Sequence, residues 1–374
     1  MNENVSMLTY IQKTPQVVLN NIKNRKEITE RLVKEYIEGG YNGLTLVACG
    51  SSYNSCQAAR YFLRKYLKAE VKLITPFTFI HHEHDYRENT LTINVSQSGC
   101  STNIIDCVKF EKECGEKTIS LVGRDDCDVK QYTDLLLNWQ VGEEKIGYAT
   151  IGVVTLVAYL MLFALEVSLK KRYIDTVEYE HVINQMILAM EIQPQIVEET
   201  MSKYQLNKEL ITGCERAYFV SSGSNLATAI EGSLKMAETS CISCLAYEIE
   251  EYLHGPLYPV NPNVLLIFID NNNDESSEKI IEIAKKSEVV TDRILTITNS
   301  KLIAENKAIR TLKETDYLVS PLYKLAALEV LAYLRTEDTN HYKPHEKSIE
   351  FESLNKNLTK SRKDLIIDLQ GLHQ

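Results

Sequence analysis

Two serine-rich segments of the chain have the residue types of an anion-binding site. Each follows a short apolar run and precedes a helical pattern, and they read Gly50-Ser51-Ser52-Tyr53-Asn54-Ser55 and Ser96-Gln97-Ser98-Gly99-Cys100-Ser101-Thr102. In an open α/β sheet, ligands bind at the carboxyl ends of the strands, where the next helix presents unpaired N–H groups. Small hydroxyl side chains add hydrogen-bonding groups without bulk, which suits a phosphate monoester. Serines commonly serve only as helix caps and turn formers, but two such segments after neighbouring predicted strands favour a phosphate site.

A second group of residues has the chemistry of proton transfer. Glu231, Lys235 and Glu238 are spaced by four and three residues, which places them along one face of a predicted helix. His254 stands immediately before Gly255-Pro256, at a break in secondary structure from which an imidazole can project into a cleft. Both features also have structural explanations, because charged stripes of this kind are usually solvated and a lone histidine is usually structural.

Other kinds of site receive less support. Neither serine-rich segment has the spacing of a nucleotide P-loop or of a dinucleotide-binding turn, so we expect no cofactor. The run His81-His82-Glu83-His84-Asp85 contains metal ligands, but adjacent side chains on a strand or loop point in alternating directions. Cys241 and Cys244 form a single CxxC pair without a second pair at zinc-site spacing. The sequence therefore predicts no metal site.

Composition and charge narrow the class of protein. The 374 residues are 44% apolar and 25% charged, which is enough for two or three domains with sizeable cores. The net charge of −10 disfavours nucleic acid and anionic membranes as partners, because both require clustered cations. Nine cysteines without a signal-peptide pattern at the N-terminus indicate reduced thiols, and therefore a cytoplasmic protein.

One uncharged run could be mistaken for a membrane span. Residues 149–165 contain no charged side chain and are close to the minimum length that crosses a bilayer. The run ends at Glu166, and no second apolar segment of this kind accompanies it. We therefore interpret it as a core helix packed on all sides.

Short β-rich runs alternate with longer helical patterns, which predicts parallel sheets built from βαβ units. The predicted strands are 44–48, 71–74, 91–95, 118–122, 135–138, 217–220, 264–269, 294–298 and 317–319. The segments LVACGSSY and FVSSGSNL, which begin at Leu46 and Phe219, both read as a strand, a Gly-Ser turn and a helix start. This weak repeat indicates two copies of one α/β domain. The copies diverge at the next strand end, where SQSG in the first half corresponds to Asp270-Asn271-Asn272-Asn273 in the second.

Four motifs together resemble those of the sugar isomerase (SIS) family. They are ACGSSYNS (48–55), SQSG (96–99), EGSLKMAE (231–238) and HGPL (254–257). The resemblance is closest to the isomerase half of glucosamine-6-phosphate synthase and to the fructosamine-6-phosphate deglycases. It implies two tandem SIS domains, each a flavodoxin-like three-layer α/β/α sandwich with a mainly parallel sheet. The corresponding division is an N-terminal helical extension (1–35), a first domain (36–175), a helical connector (176–206), a second domain (207–345) and a C-terminal tail (346–374).

The resemblance also implies roles for individual residues. The phosphate-binding positions of the family match Ser51, Ser52, Ser96, Gln97, Ser98 and Ser101. The glutamate that moves a proton between C1 and C2 of the sugar matches Glu238, and the lysine near it matches Lys235. The histidine that opens the sugar ring matches His254 and is contributed across a dimer interface, which implies a homodimer. A lysine near the C-terminus of the synthase matches Lys347, at equal spacing from an upstream aspartate, here Asp338.

Three departures from the family pattern bear on specificity. Cys100 replaces the acidic residue that normally follows SQSG, and Thr150-Ile151-Gly152 replaces a Ser-Thr-Lys sequence. The chain also continues for 26 residues beyond Ser348, whereas the synthase ends shortly after its lysine. The phosphate-binding motifs thus follow the family pattern more closely than the residues expected around the reacting carbons do. We read this as the same reaction core acting on a different amine.

The function expected from the resemblance is therefore a deglycase. It would cleave a 6-phosphorylated glycated amine, of the fructoselysine- or glucoselysine-6-phosphate type, to a hexose 6-phosphate and the free amine through a 1,2-proton shift. The alternative enzyme is a glutaminase-free amino-sugar phosphate isomerase or deaminase, because no segment resembles the glutaminase half of the synthase. A non-catalytic sugar-phosphate sensor is a third possibility, disfavoured because Glu238 and His254 are both present.

Overall fold

The computed structural model describes residues 6–84, 89–142, 144–272, 275–339 and 345–354. The chain forms two compact units. The first unit contains Gln16–Ile183 and the chain from His345 onward, and the second contains Asn184–Pro344 and the segment Met1–Pro15. Each unit is built around one parallel sheet.

Helices and strands alternate along most of the chain. The helices are α1 (Met7–Lys23), α2 (Arg25–Glu38), α3 (Gly50–Leu67), α4 (Pro76–His81), α5 (Thr102–Glu113), α6 (Ile151–Lys170), α7 (Thr176–Leu206), α8 (Lys208–Thr212), α9 (Gly223–Ser240), α10 (Ile249–Leu253), α11 (Ser277–Lys286), α12 (Pro321–Thr339) and α13 (Glu346–Leu354). The strands are β1 (Gly43–Val47), β2 (Glu70–Ile74), β3 (Thr90–Ser96), β4 (Ile119–Val122), β5 (Leu135–Asn138), β6 (Arg216–Ser221), β7 (Ser243–Glu248), β8 (Val264–Ile269), β9 (Ile294–Ile297) and β10 (Ala308–Ile309).

The two sheets have the same topology. In the first unit the strand order is β2-β1-β3-β4-β5, and every pair is parallel. In the second unit the order is β10-β9-β8-β6-β7, which becomes the same 2-1-3-4-5 order when the strands are counted from β6. This is the flavodoxin-like order. The predicted pair of parallel α/β domains is therefore confirmed.

Helices cover the first sheet. On one face, Val47 and Ile74 pack with Phe79 of α4 and Cys107 of α5. Helix α6 packs against both α2 and α3, and α3 also contacts β1, β2 and β3. Because the strands are covered, they can be almost wholly apolar, and β1 and β4 are buried along their whole length.

Helix α6 accounts for the uncharged run in the sequence. It is long and apolar enough to cross a membrane by length and composition, but its apolar window lies entirely inside the fold. Its one acidic residue, Glu166, is buried and accepts a hydrogen bond from the Tyr179 hydroxyl. Arg25 donates to the same hydroxyl at 2.7 Å, and its Nε lies 3.8 Å from the Glu166 carboxylate. The interpretation as a core helix is confirmed.

Some local predictions were wrong. Residues 317–319 form a turn instead of a strand, because the main-chain and side-chain oxygens of Asp316 accept the N–H groups of Leu318, Val319 and Ser320. Strands β7 and β10 were missed. The predicted N-terminal helical extension consists of two separate helices, α1 and α2. They meet at Asn24, whose side chain donates to the Asn20 carbonyl and whose own carbonyl accepts from the first turn of α2.

Candidate functional site

In the first unit, the chain order reverses between β1 and β3, which are hydrogen-bonded neighbours. The carboxyl ends of two such strands flank a crevice where ligands of open α/β sheets commonly bind. Strand β1 leads into the first serine-rich segment, and β3 ends at Ser96 in the second. The topology thus places both segments at the same crevice.

The first segment forms the N-terminus of α3. Cys49 is extended, and Gly50 has a φ of +58°, a left-handed conformation that glycine adopts with little cost. The helix begins at Gly50, so Ser51 and Ser52 lie in its first turn and are half-buried. The N–H groups of a first turn have no acceptor within the helix and carry partial positive charge. Both serines are therefore placed where an anion is stabilised.

The second segment is a tight turn between β3 and α5. The Gly99 N–H donates to Ser96 Oγ at 3.1 Å and to the Ser96 carbonyl at 3.2 Å, and Gly99 has a φ of +61°. The Cys100 N–H donates to Ser98 Oγ at 3.1 Å. Ser101 precedes α5, with its Oγ 3.4 Å from Ser96 Oγ. The turn thus brings the hydroxyls of Ser96 and Ser101 together beside a second helix N-terminus.

The side chain of Gln97 has a different partner from the one expected. Its amide group donates to Glu144 Oε2, while the main-chain carbonyl of Gln97 accepts from the Gly123 N–H at 3.0 Å. A phosphate contact by this side chain stays a prediction. Sequence reasoning missed Glu144, because it lies six residues before the N-cap residue Thr150, outside the positions at which a capping side chain is recognised in a sequence.

Glu144 lies at the N-terminus of α6. Its Oε1 accepts from the N–H groups of Thr150 (2.7 Å) and Ile151 (3.0 Å), and its Oε2 accepts from Gly152 N–H (3.3 Å). Burial raises the pKa of Glu144, and the hydrogen bonds from Gln97 and the three N–H groups offset part of that shift. A carboxylate therefore occupies the anion position of this helix.

In the second unit, α9 carries the predicted charged face. Lys235 is 1% exposed, and its Nζ lies 2.9 Å from Glu238 Oε2 and 3.4 Å from Glu231 Oε1. Burial alone would lower the pKa of Lys235, but the carboxylates of Glu231, Glu238 and Glu329 outweigh it and raise the pKa. The Glu231 side chain is buried, whereas that of Glu238 is 37% exposed. The face is therefore a partly buried ion cluster that presents one accessible carboxylate, and not a solvated stripe.

His254 follows the short helix α10. The Glu248 carboxylate caps this helix by accepting the N–H groups of Glu250 (2.7 Å) and Glu251 (3.2 Å). The Nδ1 atom of His254 lies 2.7 Å from the Glu250 carbonyl. A carbonyl can only accept, so Nδ1 carries the proton, and Nε2 of the neutral ring is the basic nitrogen. His254 is exposed, which leaves this imidazole accessible for acid-base chemistry.

Lys347 lies on α13 and is strongly exposed, with its ammonium bonded to Glu350. Asp338 accepts from the Tyr204 hydroxyl at 2.8 Å and from Lys208 at 2.7 Å. The part of the predicted tail after residue 354 lies outside the described residues. A role for Lys347 in the site stays a prediction.

The corresponding crevice of the second unit is filled by side chains. Asn225 Nδ2 donates to Asn271 Oδ1 at 2.8 Å and to Ser320 Oγ at 2.9 Å. Asn271 Nδ2 donates in turn to Ser222 Oγ at 2.7 Å and to Ser276 Oγ at 2.9 Å. Asn225, Asn271 and Ser320 are fully buried. The divergence seen in the sequence thus replaces a hydroxyl-lined turn with a buried amide network.

The histidine-rich run is engaged in aromatic and ionic contacts. The His81 ring lies 4.5 Å from the Phe77 ring, and His84 Nε2 lies 3.1 Å from Glu116 Oε1. Asp85 lies outside the described residues. Within the part of the chain that the structure describes, no three metal-ligating side chains group together.

Comparison with known proteins places the chain in a family. The model of the SIS domain matches residues 42–165 and again residues 210–334. The glutamine–fructose-6-phosphate aminotransferase (isomerizing) of Caldanaerobacter subterraneus subsp. tengcongensis is 25% identical over 327 residues, which are 85% of this chain and 51% of that protein. The chain thus spans about half the length of the curated relatives it matches.

Two solved structures share the fold. The C-terminal domain of glucosamine-fructose-6-phosphate aminotransferase from Francisella tularensis superposes with a TM-score of 0.79 and 21% identity, covering 91% of this chain and 97% of that one. Glucosamine-6-phosphate deaminase from Thermotoga maritima gives a TM-score of 0.67 and 20% identity, covering 89% and 98%. The two matched ranges of the family model contain the two parallel sheets, and the chain belongs to the SIS domain family, with two copies of the domain.

Proposed function

We propose that the protein is a phosphosugar isomerase-type enzyme that acts as a deglycase. The observation that carries this proposal is that one chain contains both a suitable phosphate site and suitable acid-base groups. The first unit has a crevice bordered by serine hydroxyls and two helix N-termini, which suits the phosphate. The second unit has the accessible carboxylate of Glu238, held by Lys235, and the accessible imidazole of His254.

The proposed reaction begins with proton transfer between adjacent carbons. A hydrogen on C1 of a 1-amino-1-deoxyketose is weakly acidic, so its removal requires a positioned base. Glu238 takes this proton and returns it to C2 while the N–H proton of the amine passes to the C2 oxygen, which converts the ketosamine to the imine of an aldose. The buried ammonium of Lys235, 2.9 Å from Glu238 Oε2, fixes the carboxylate in place.

Hydrolysis completes the proposed reaction. Water adds to C1 of the imine, the C1–N bond breaks, and the amine leaves with the proton it needs, giving hexose 6-phosphate and free amine. His254 can supply or accept a proton in ring opening or at the leaving nitrogen, because the proton on Nδ1 leaves Nε2 as its basic atom. No oxidant or reductant is consumed.

A deaminase or amino-sugar phosphate isomerase is the second candidate. The structural match to the Thermotoga maritima deaminase extends over 98% of the deaminase chain. The match to the aminotransferase of Caldanaerobacter subterraneus extends over only 51% of that protein. The same two groups would then move a proton on glucosamine 6-phosphate, and ammonia would be the amine released.

Substrate assays separate the two candidates. Purified protein is incubated with 6-phosphofructosyl-lysine, 6-phosphoglucosyl-lysine or glucosamine 6-phosphate, and glucose 6-phosphate, fructose 6-phosphate and ammonia are quantified. We expect glucose 6-phosphate from a glycated lysine, with loss of at least about 100-fold in Glu238→Gln. The matched control is Glu282→Gln, because Glu282 is also a carboxylate paired with a lysine but lies on α11 at the surface. Full activity in Glu238→Gln would refute its role as the base, and turnover of glucosamine 6-phosphate alone would favour the deaminase.

We further propose a cytoplasmic homodimer in which one subunit supplies His254 to the site of the other. The exposed side chains of Leu245 on the edge strand β7 and of Tyr258, which follows His254 closely, provide apolar surface for such an interface. Mixing Glu238→Gln and His254→Asn subunits after dissociation tests this proposal. Activity should reappear in the mixture, since one of the two sites in a mixed dimer then has both groups intact. An inactive mixture that contains mixed dimers would show that His254 acts within its own subunit.

A further inference from the structure

The loop before α6 connects the phosphate crevice to a partly buried carboxylate that no motif of the sequence identified. Gln97 lies between Ser96 and Ser98 in the turn after β3, and its side chain reaches Glu144, 47 residues further along the chain. The Glu144 carboxylate receives four hydrogen bonds, one from Gln97 and three from the N–H groups at the start of α6. Glu144 is thus bonded both to the start of α6 and, through Gln97, to the turn after β3.

Gly152 makes this arrangement sterically possible. A Cβ atom at Gly152 would lie 2.1 Å from Gln97 Oε1 and 2.4 Å from Gln97 Nε2, far inside van der Waals contact. The resemblance described above implies a lysine at this position, since Thr150-Ile151-Gly152 stands where a Ser-Thr-Lys sequence is expected. A side chain there is incompatible with the observed position of the Gln97 amide. The departure therefore has a local structural consequence, which is a Gln97 side chain packed onto the helix start.

The same turn is restrained from its other side. The Gln97 carbonyl accepts from Gly123 N–H at 3.0 Å, just after β4, and the Gly99 carbonyl accepts from Val129 N–H at 2.9 Å. These two bonds restrain the main chain at Gln97 and Gly99, but neither restrains the Gln97 side chain. Glu144 is the group that determines where this side chain points.

We propose that Glu144 is a positioning residue for the phosphate-binding turn. Through Gln97 it holds Ser96 and Ser98 in the geometry that receives the phosphate, and it does so without touching the ligand. This inference rests on the proposed function, since it assigns a role within the phosphate site. The ionised carboxylate is the active form, because it accepts from Gln97 and from α6 with both oxygens.

Glu144→Gln tests the proposal with little change in shape. The new amide oxygen can still accept from the start of α6, but its NH₂ group would face the NH₂ group of Gln97, so the charge-assisted bond from Gln97 Nε2 is lost and the two side chains can pair only if the Gln97 amide turns over. Gly152→Ala breaks the same bond from the other side, by displacing Gln97 while leaving the carboxylate intact. Asp134→Asn is the matched control, because Asp134 also accepts a main-chain N–H, that of Thr118, but at the opposite, N-terminal edge of β4.

Two measurements are made on the full-length protein. Binding of inorganic phosphate is followed by ³¹P NMR, and the Gln97 side-chain amide is followed in protein labelled with ¹⁵N-glutamine. We expect Glu144→Gln and Gly152→Ala to weaken phosphate binding about tenfold and to shift the Gln97 amide resonance, since one charge-assisted hydrogen bond is removed. Asp134→Asn should bind phosphate like the unaltered protein. Where turnover is measurable, KM should rise about tenfold while kcat changes less than twofold, because the proposed base lies in the second unit.

The possible outcomes are distinct. Unchanged phosphate binding in Glu144→Gln, in a protein that retains its thermal stability, overturns the positioning role and leaves the proposed function intact. Equal weakening in Asp134→Asn also overturns it, because the effect would then reflect general stability. An unaltered protein that binds no phosphate overturns both the positioning role and the phosphate site. Phosphate binding that depends on Glu144, without turnover of any sugar tested, supports the positioning role and counts against the proposed enzyme.

Discussion

Glu111 is a buried acid whose titration should control the stability of the first unit. It lies on the inner face of α5, is 1% exposed, and accepts a hydrogen bond from Asn94 Nδ2 at 2.5 Å. Burial raises the pKa of Glu111 to about 8, with a partial offset from the Asn94 hydrogen bond and a small further increase from Glu116. Asn94 Oδ1 is also buried and has no hydrogen-bond partner among the described residues, so it can accept the proton of a neutral Glu111.

The sign and the size of the effect follow from linkage. The ordinary pKa of this group is 4.5, so between pH 4.5 and about 8 the folded protein keeps a proton that the unfolded chain has lost. The free energy of unfolding therefore falls by about 1.4 kcal/mol per pH unit across this interval. The stabilisation is fully present below the lower pKa and is lost as the pH rises through the upper one. Between about pH 5 and about pH 8, Glu111 should lower the free energy of unfolding by roughly 3 kcal/mol.

Glu111→Gln should remove this pH dependence, because an amide is neutral throughout and can exchange two hydrogen bonds with Asn94. Trp139 is the only tryptophan of the chain and is fully buried in the first unit, so its fluorescence reports the unfolding of that unit. Urea unfolding is followed at several pH values between about 5 and 8. Asp106→Asn is the control, since Asp106 is an exposed carboxylate on the same helix.

We expect the variant and the unaltered protein to have similar stability near pH 5 and to diverge steadily above it, with the variant the more stable. Asp106→Asn should reproduce the pH profile of the unaltered protein. A difference between Glu111→Gln and the unaltered protein that changes by less than about 1 kcal/mol over this range would refute the reasoning. It would mean that Glu111 ionises within the fold without a penalty.

Three further substitutions test other contacts. Arg25→Met should destabilise the first unit by about 2 kcal/mol in urea titrations read by Trp139, since the buried Glu166 carboxylate loses its cation; an unchanged midpoint would contradict this. Gly99→Ala should cost about 2 kcal/mol or more by the same assay and weaken phosphate binding, because φ is +61° and the new Cβ would lie 2.6 Å from Cys127 Cβ; unchanged values of both would exclude a strained turn. Lys235→Met should destabilise the second unit by about 3 kcal/mol in calorimetry, because the buried Glu231 carboxylate loses its ion pair with Lys235. An unaltered transition would show that the cluster is not stabilising.

The position of a strand could be predicted from the sequence most directly where the strand is buried. Residues 264–269 were predicted with the bounds the structure has, because a covered parallel strand is a continuous apolar run. Residues 135–138 were also predicted with the observed bounds, from three consecutive leucines, although β5 is an edge strand that is only partly buried. The two edge strands of the second sheet could not be found in this way. Strand β7 is half-exposed and carries a serine, a cysteine and a glutamate, and β10 has only two residues. Their pairing depends on the neighbouring strand more than on their own composition.

Parts of the candidate site could also be predicted from local sequence. The serines at the crevice could be placed because a strand end, a glycine turn and a helix start are all local signals. The burial of Lys235 could not be predicted, since the spacing of charges on α9 is the same for a solvated face and for an internal cluster. Glu144 could not be linked to Gln97, because their hydrogen bond joins residues 47 positions apart and depends on the absence of a side chain at Gly152.

The buried amide network of the second unit has a consequence for ligand-linked stability. The side chains of Asn225 and Asn271 already fill the crevice at the strand ends where a ligand would bind. We therefore expect phosphate not to stabilise this unit. A ligand stabilises only the part of a protein to which it binds, in proportion to the logarithm of its concentration above Kd. Saturating phosphate should therefore raise the melting temperature reported by Trp139 and leave a transition of the second unit in place. The two SIS domains would then differ in a melting experiment, because the transition of the first would depend on phosphate, whereas the amide network of the second already occupies the place of a ligand.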